Sequence, residues 1–270
     1  ETPRLTISVT RLEQLSPALL ELGCPARVYI PLEEVSRLES LPGEGPEWCA
    51  VLPRVWRDRD EPALRTLLER ARALGFTGVL IGNLGHLPLV RGLNFHLYGD
   101  YGLNVFNSRS LAYLKDKGLE SACVSFELRF AQIRDLKKVL RAEAIVYGRL
   151  PLMITENCLV QNETGCRLDR QGPCVPEDGP CRCGQPNVLV DRTGAAFPLL
   201  PAYGHRTEIQ NSKPLYLADR PEHRRLGLAY ARLRFTTETA EECVSVVQNY
   251  LDAAPAAGDF TRGLYERGVE

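Results

Sequence analysis

At 270 residues, with 44% hydrophobic and 25% charged residues, the chain has the apolar mass for one large core and the size of a single α/β barrel. Its 33 Lys and Arg against 34 Asp and Glu argue against a nucleic-acid binder working through bulk positive charge, although a local basic patch remains compatible with them. No apolar run approaches the roughly 20 residues of a membrane span, and the opening ETPRLTISVT has no signal-peptide pattern, so no membrane partner and a cytoplasmic location are expected. The chain begins at Glu1 and holds a single methionine, Met153, which reads as a piece of a longer protein.

Short apolar runs rich in β-branched and aromatic residues predict strands at Leu5–Val9, Arg27–Leu32, Trp48–Val55, Gly78–Gly82, Asn94–Tyr98, Ala122–Leu128 and Ala144–Leu150. Helical patterns lie between them. One starts at the N-cap Asp60, carries Pro62 in its first turn, repeats Leu64, Leu67, Leu68, Ala71 and Leu74 at helical spacing, and stops at Gly75. A second runs from Ser108 to Gly118, and a third follows Glu127 with Ile133, Leu136, Val139 and Leu140 on one face. An eighth strand, Gly227–Phe235, precedes the helix Thr239–Leu251. Strand–helix alternation marks parallel βα units, and eight units predict an α/β TIM-barrel-like (β/α)8 fold, with an open doubly wound sheet as the alternative. Residues 1–270 are read as one barrel domain.

The rhythm breaks at 157–217. A Gly-, Pro-, Asn- and Asp-rich loop leads into a β-hairpin over Asn187–Leu200, turning at Arg192–Gly194. This Cys-rich loop and hairpin form an insertion after strand seven. Of nine cysteines, Cys24, Cys49, Cys123 and Cys243 stand singly and read as small buried hydrophobes. The other five, Cys158, Cys166, Cys174, Cys181 and Cys183, fall within 26 residues. A long loop with little to bury loses ordering entropy without compensation, and a metal gripping several thiolates offsets that loss. Disulfides and unligated thiols are the competing readings. The spacing matches neither a zinc ribbon nor a ferredoxin run, so spacing alone does not select the metal.

Several strings in order resemble the peptidase U32 family: YGRLPLMITENC at 147–158, VDRTGAAFP at 190–198, NVFNS at 104–108, SFEL at 125–128, IQNS at 209–212, and FTRG at 260–263 with the closing RGVE at 267–270. The match is most similar to the C-terminal barrel of long bacterial U32 proteins. The resemblance implies several activities: collagenase-like peptidases, enzymes that hydroxylate a base in tRNA or 23S ribosomal RNA, and ubiquinone-hydroxylation proteins carrying [4Fe–4S] clusters on four cysteines. Carried over by position, the family's first three cysteines fall on Cys158, Cys166 and Cys183, leaving Cys174 and Cys181 as extras. Where the family places its last cysteine, this chain has His205. The implied cofactor is therefore a [4Fe–4S] cluster or zinc, and the implied partners are tRNA or rRNA and the other domains of a longer protein. Tyr147-Gly148 replaces a family His-Gly pair, which implies an alternative role as a non-catalytic, zinc-stabilised scaffold.

Polar residues at strand ends supply the remaining candidates. Glu127 and Arg149 are the candidate catalytic or substrate-binding pair, a guanidinium being suited to carboxylate or phosphate, with mutual or backbone pairing as the competing reading. Asn104 and Asn107 follow strand five, Glu156 lies two residues before Cys158, and Asp100 reads as a turn former. His86 and His96 read as structural. Arg220, His223, Arg224, Arg225, Arg232 and Arg234 form either a phosphate-tracking surface or a solvated helix followed by an ordinary strand. Neither a Gly-x-Ser-x-Gly elbow nor a His-Glu-x-x-His helix occurs, so proteolysis has no visible signature.

Overall fold

The computed structural model describes residues 2–23, 25–164 and 185–268. The chain divides into two compact units, Glu1–Gly148 with Leu215–Glu270, and Arg149–Pro214.

In the first unit, chain order runs β1 (Arg4–Ser8), α1 (Pro17–Gly23), β2 (Arg27–Pro31), β3 (Glu47–Val51), α2 (Glu61–Leu74), β4 (Gly78–Ile81), α3 (His86–Val90), β5 (His96–Gly99), α4 (Ser108–Asp116), β6 (Leu119–Cys123), α5 (Phe130–Asp135) and β7 (Arg141–Gly148). Each of β1 to β6 pairs in parallel with the next, up to β7. A later strand of the same unit, Tyr230–Arg234, pairs in parallel with both β7 and β1 and closes the ring. The result among the described residues is a closed eight-stranded parallel barrel with helices between strands, so the open-sheet alternative falls away. Strands such as β2 and β4 are buried along their length, as expected when helices cover the outer face and side chains fill the inner one.

Local chemistry sets the helix ends. Gly75 takes a φ of +100° at the end of α2, where a side chain would be strained. The Asn107 Oδ1 accepts from the N–H groups of Arg109 and Ser110, both at 3.0 Å, and caps α4. Among the boundaries that differ from the sequence reading, two have a visible local cause. The sixth strand ends at Cys123 rather than Leu128, because residues 125–128 close a turn in which Leu128 N–H donates to the Ser125 carbonyl at 3.2 Å. The helix after Glu127 stops at Asp135, short of Leu136, Val139 and Leu140. There the Lys138 ammonium donates to the carbonyls of Ile133, Arg134 and Leu136 at 2.6, 3.2 and 3.3 Å and satisfies the end.

The second unit holds a four-stranded antiparallel sheet built from β8 (Pro151–Thr155), β9 (Asn187–Val190), β10 (Ala196–Ala202) and β11 (Arg206–Gln210), in the order β8-β11-β10-β9, with α6 (Leu159–Thr164) after β8. The hairpin expected around Arg192–Gly194 is β9–β10. Its turn is fixed by the Asp191 carboxylate, which accepts from Thr193 N–H, Thr193 Oγ1 and Ala195 N–H at 2.7–3.0 Å. The chain then returns to the barrel through β12 (Leu215–Tyr216), the closing strand β13 (Tyr230–Arg234) and α7 (Ala240–Leu251).

Register jumps by one residue where β13 meets β7: Arg232 faces Ile145 and Leu233 faces Tyr147, which leaves Val146 extra. The two displaced carbonyls find tyrosines. The Tyr265 hydroxyl donates to the Ile145 carbonyl at 2.6 Å, and the Tyr250 hydroxyl donates to that of Val146 at 2.5 Å. At the end of β7, Gly148 has a φ of +117°, and a Cβ there would stand 2.0 Å from the Arg234 carbonyl oxygen. Gly148→Ala is expected to destabilise the chain by about 3 kcal/mol or more in chemical denaturation. Tyr265→Phe, which strands a buried carbonyl, is expected to cost about 1–3 kcal/mol.

Candidate functional site

Alternate residues of a barrel strand face inward, so β13 sends Tyr230, Arg232 and Arg234 into the interior. Arg232 is 1% exposed. Its guanidinium bonds the Asp100 carboxylate at 2.5 Å and the Glu143 carboxylate on its other side, and its carbon lies 4.5 Å from the Tyr29 ring centroid. Glu143 also accepts from Thr6 Oγ1 at 2.5 Å and from the Tyr29 hydroxyl at 3.1 Å. Toward the strand N-termini, the Arg27 guanidinium bonds Glu47 at 2.9 Å, Ser121 at 2.8 Å and the Tyr230 hydroxyl at 3.1 Å. Its carbon lies 3.6 Å and 4.2 Å from the ring centroids of Tyr98 and Tyr230. Gly78 leaves the room this packing uses, since a Cβ there would meet Cys49 Sγ at 2.6 Å and Tyr98 at 2.7 Å. The charges around Arg232 hold it cationic despite full burial, and burial pushes the Tyr29 hydroxyl and the Cys49 thiol well above their ordinary range.

The sequence reading missed this network. The basic cluster is a short helix over Pro221–Arg225 followed by an ordinary barrel strand, in which Arg232 and Arg234 are buried, and His223 in the helix is buried with its Nδ1 against the Arg220 carbonyl at 2.5 Å. Period-two alternation of Tyr230, Arg232 and Arg234 was the available signal. Asp100 does open a turn, with Leu103 N–H donating to its carbonyl at 3.0 Å, but its side chain serves Arg232.

At the C-terminal mouth of the barrel, Glu127 is half-buried in the turn after β6. Arg149, the first residue of the inserted unit, donates to the carbonyls of Asn211, at 3.0 Å, and Ser212. Asn104 adopts a left-handed φ of +48°, and Asn107 caps α4. His96 pairs with Glu120 near the surface. His86 is buried beside Trp56, with its Nε2 3.1 Å from the Pro53 carbonyl, and burial lowers its pKa to about 4. Cys49, Cys123 and Cys243 are buried free thiols, the last pushed up to about 12 by burial, as suits small core hydrophobes. Cys24 lies outside the described residues.

In the inserted unit, β11 pairs antiparallel with β8, with Thr207 facing Thr155. The paired residues end close by, with Cys158 three residues beyond the end of β8 and His205 directly before the start of β11. The buried Arg206 guanidinium bonds Glu156 at 3.0 Å, and Thr207 Oγ1 accepts from Leu159 N–H at 3.0 Å. His205 takes a left-handed φ of +59° in the turn between β10 and β11. Cys158 is a half-buried free thiol whose Sγ accepts from Gln161 N–H at 3.4 Å. A thiolate and an imidazole at one sheet end suit zinc or an iron–sulfur cluster. Cys166, Cys174, Cys181 and Cys183 lie outside the described residues, and among the described ones no group of three or more His, Cys, Asp or Glu side chains gathers to hold an ion.

The model of peptidase family U32 matches residues 41–187. No curated protein matches the chain. Among solved structures, the U32 peptidase Mk0906 aligns over 88% of this chain and 95% of its own, at 10% identity and a TM-score of 0.47. A thiamine phosphate pyrophosphorylase from Pyrococcus furiosus aligns over 93% and 95%, at 9% identity and a TM-score of 0.42. At these values neither likeness bears on substrate or mechanism.

Two outcomes follow for the buried groups. Arg232→Met alone leaves two carboxylates buried without their cation and is expected to cost about 3–5 kcal/mol in denaturant unfolding, while adding Glu143→Gln recovers part of that loss. His86 binds no proton in the folded chain until about pH 4, whereas the unfolded chain binds one near 6.5. Its contribution is thus full above pH 6.5 and shrinks as pH falls toward 4, so stability rises with pH across that window. Replacing it in His86→Gln is expected to flatten the pH 4–6.5 slope of the unfolding free energy by up to about 3 kcal/mol over the window.

Proposed function

Because the chain belongs to peptidase family U32, matched over residues 41–187, we propose that it is a metal-bearing barrel acting in hydroxylation, or a related modification, of a base in tRNA or rRNA. What supports this reading is the family match together with the antiparallel β8–β11 pairing, in which the end of β8 that leads to Cys158 and the start of β11 that follows His205 belong to the same end of the sheet. Cys158 and His205 would hold the centre together with thiolates drawn from Cys166, Cys174, Cys181 and Cys183. A [4Fe–4S] cluster would supply one-electron chemistry, and zinc would instead pin the loop or polarise a bound oxygen. The salt bridge from Arg206 to Glu156 and the bond from Leu159 N–H to Thr207 brace the backbone on both sides of Cys158, as a ligand-bearing strand end requires. Such a domain works in the cytoplasm beside the other domains of a longer U32 protein.

One observation favours a second reading, a zinc-stabilised scaffold without catalysis of its own. Tyr147, which stands where the resemblance implies histidine, sits within 6.4 Å, between ring centroids, of Tyr216, Phe235 and Tyr250, and its hydroxyl donates to Glu238 at 3.1 Å. That is a packing role.

Anaerobic purification followed by metal and sulfide analysis separates the two. The first reading expects a brown protein with about four iron and four sulfide per chain. Cys158→Ser is expected to lose most of the metal, and His205→Ala a smaller part. Stoichiometric zinc in a colourless protein would move the assignment to the scaffold, and a chain without metal under those conditions would end both.

A further inference from the structure

Two of the large apolar side chains left exposed on the barrel unit, Leu84 at 46% and Tyr113 at 48%, border the same cavity of about 320 Å³. Its other walls are Leu103, Arg109, Ser110 and Leu114, so it lies wholly within the barrel unit and shares no residue with the metal-centre reading. It opens between the loops that follow β4 and β5 and the first two turns of α4, on the C-terminal side of the ring. A volume of this size takes a small organic molecule.

Local structure fixes the walls. Residues 109, 110, 113 and 114 are spaced three and four apart, which puts them on one face of α4. Leu114 is 4% exposed and forms the apolar floor. Leu103 is seated over Gly99 at the end of β5, where a Cβ would stand 2.9 Å from the Leu103 Cδ1. Leu84 sits on a tight turn, in which Gly85 N–H donates to Asn83 Oδ1 at 2.8 Å and His86 N–H to the Asn83 carbonyl at 3.1 Å.

The polar groups of the cavity are few. The backbone N–H of Arg109 is held by the Asn107 cap, but its guanidinium meets no carboxylate among the described residues, and no acidic side chain lines the cavity. The Tyr113 hydroxyl, four residues on, has no hydrogen-bond partner among the described residues, and the Lys117 ammonium lies 5.1 Å from the centroid of its ring. Ser110 Oγ donates to Asn107 Oδ1 at 3.3 Å and keeps its own lone pairs. The positive end of the α4 dipole adds to the field on this side.

We propose that this cavity binds a small carboxylate with an apolar or aromatic body. A lone guanidinium facing no acidic side chain selects an anion. One planar fork matches a carboxylate, whereas a phosphate is better met by donors from several directions. Arg109 and the Tyr113 hydroxyl take the charged end, and Leu84, Leu103 and Leu114 take the apolar body.

Amide-resolved NMR titration of the full chain with phenylacetate tests this, with phenylacetamide as the uncharged counterpart and phenyl phosphate as the competing anion. Saturable binding of phenylacetate is expected with a dissociation constant on the order of 1 mM or tighter, the range that ligands this small reach, with the largest shifts at Leu103 and Ser110. Phenylacetamide is expected to bind about fivefold more weakly. Arg109→Gln is expected to lower phenylacetate affinity about fivefold and to leave phenylacetamide binding unchanged. Leu84→Ala is expected to weaken both ligands about threefold, and it supplies the test if Arg109→Gln does not fold. Arg225→Ala, in the exposed basic cluster, is expected to bind as the unaltered chain does. Absence of saturable binding, largest shifts outside the cavity, phenylacetamide or phenyl phosphate bound as tightly as phenylacetate, unaltered affinity in either cavity variant, or an equal loss in Arg225→Ala would each overturn the proposal. Metal content plays no part in this readout, so its outcome is separable from that of the metal-centre reading.

Discussion

The ion pairs of Arg232 with Glu143 and Asp100 are the constraint around which the barrel is arranged. A guanidinium almost wholly removed from water is tolerable only where its charge is matched, and here the carboxylates come from β7 and from the end of β5, on other parts of the ring. Thr6 on β1 and Tyr29 on β2 add their hydroxyls to the same carboxylate. One cluster therefore ties β1, β2, β5, β7 and β13 at a common height. Barrels more often fill this level with branched aliphatic side chains, which pack in many ways. A charged cluster accepts far fewer registers, and that selectivity is what its desolvation cost secures.

The same strand, β13, sets the terms for closure. It joins β7 to β1 after an excursion through a separate sheet, and the bulge at Val146 is the local adjustment that lets the inward column align. Tyr250 and Tyr265, both C-terminal to the last barrel strand, satisfy the carbonyls that the bulge displaces. The tail beyond α7 adds a further tie, where Arg262 grips Asp219 with two bonds at 2.6 and 2.8 Å and the Tyr216 carbonyl at 2.7 Å. Sequence far from the closing strand thus maintains its geometry.

Much of the fold was legible because buried parallel strands write themselves as apolar runs and their helices as amphipathic repeats. All eight barrel strands were located, with the largest boundary errors at the end of β6, where a turn continues the apolar run, and at the end of β3, whose reading ran on to Val55, and the reading of β7 also ran on to Leu150. The inserted sheet was harder to see. Its β8 follows β7 after two residues, so the two merged into one run, and β10 carries Pro198 and Pro201, which demote it as a strand. The candidate site was legible in its residue types and opaque in its contacts. Cys158 and His205 carry recognisable chemistry, but only an antiparallel register brings them to one end of a sheet. Arg232 and Arg234 sat among other basic residues, and nothing in local composition separates an arginine facing a carboxylate inside a barrel from one facing water.

The ring order has a practical bearing on how the protein can be divided. The family match spans residues 41–187, which contain β3 to β7 but neither β1, β2 nor β13. A chain trimmed to those limits keeps five strands of the ring and exposes the unpaired flank of β3 and much of the flank of β7. Such flanks are templates for strand addition by neighbouring molecules. It also discards Arg232 while keeping Glu143 and Asp100, leaving two carboxylates facing an apolar interior. The segment that identifies the family by its residues is therefore smaller than the segment that can stand alone, and expression boundaries for related chains should be drawn from barrel closure.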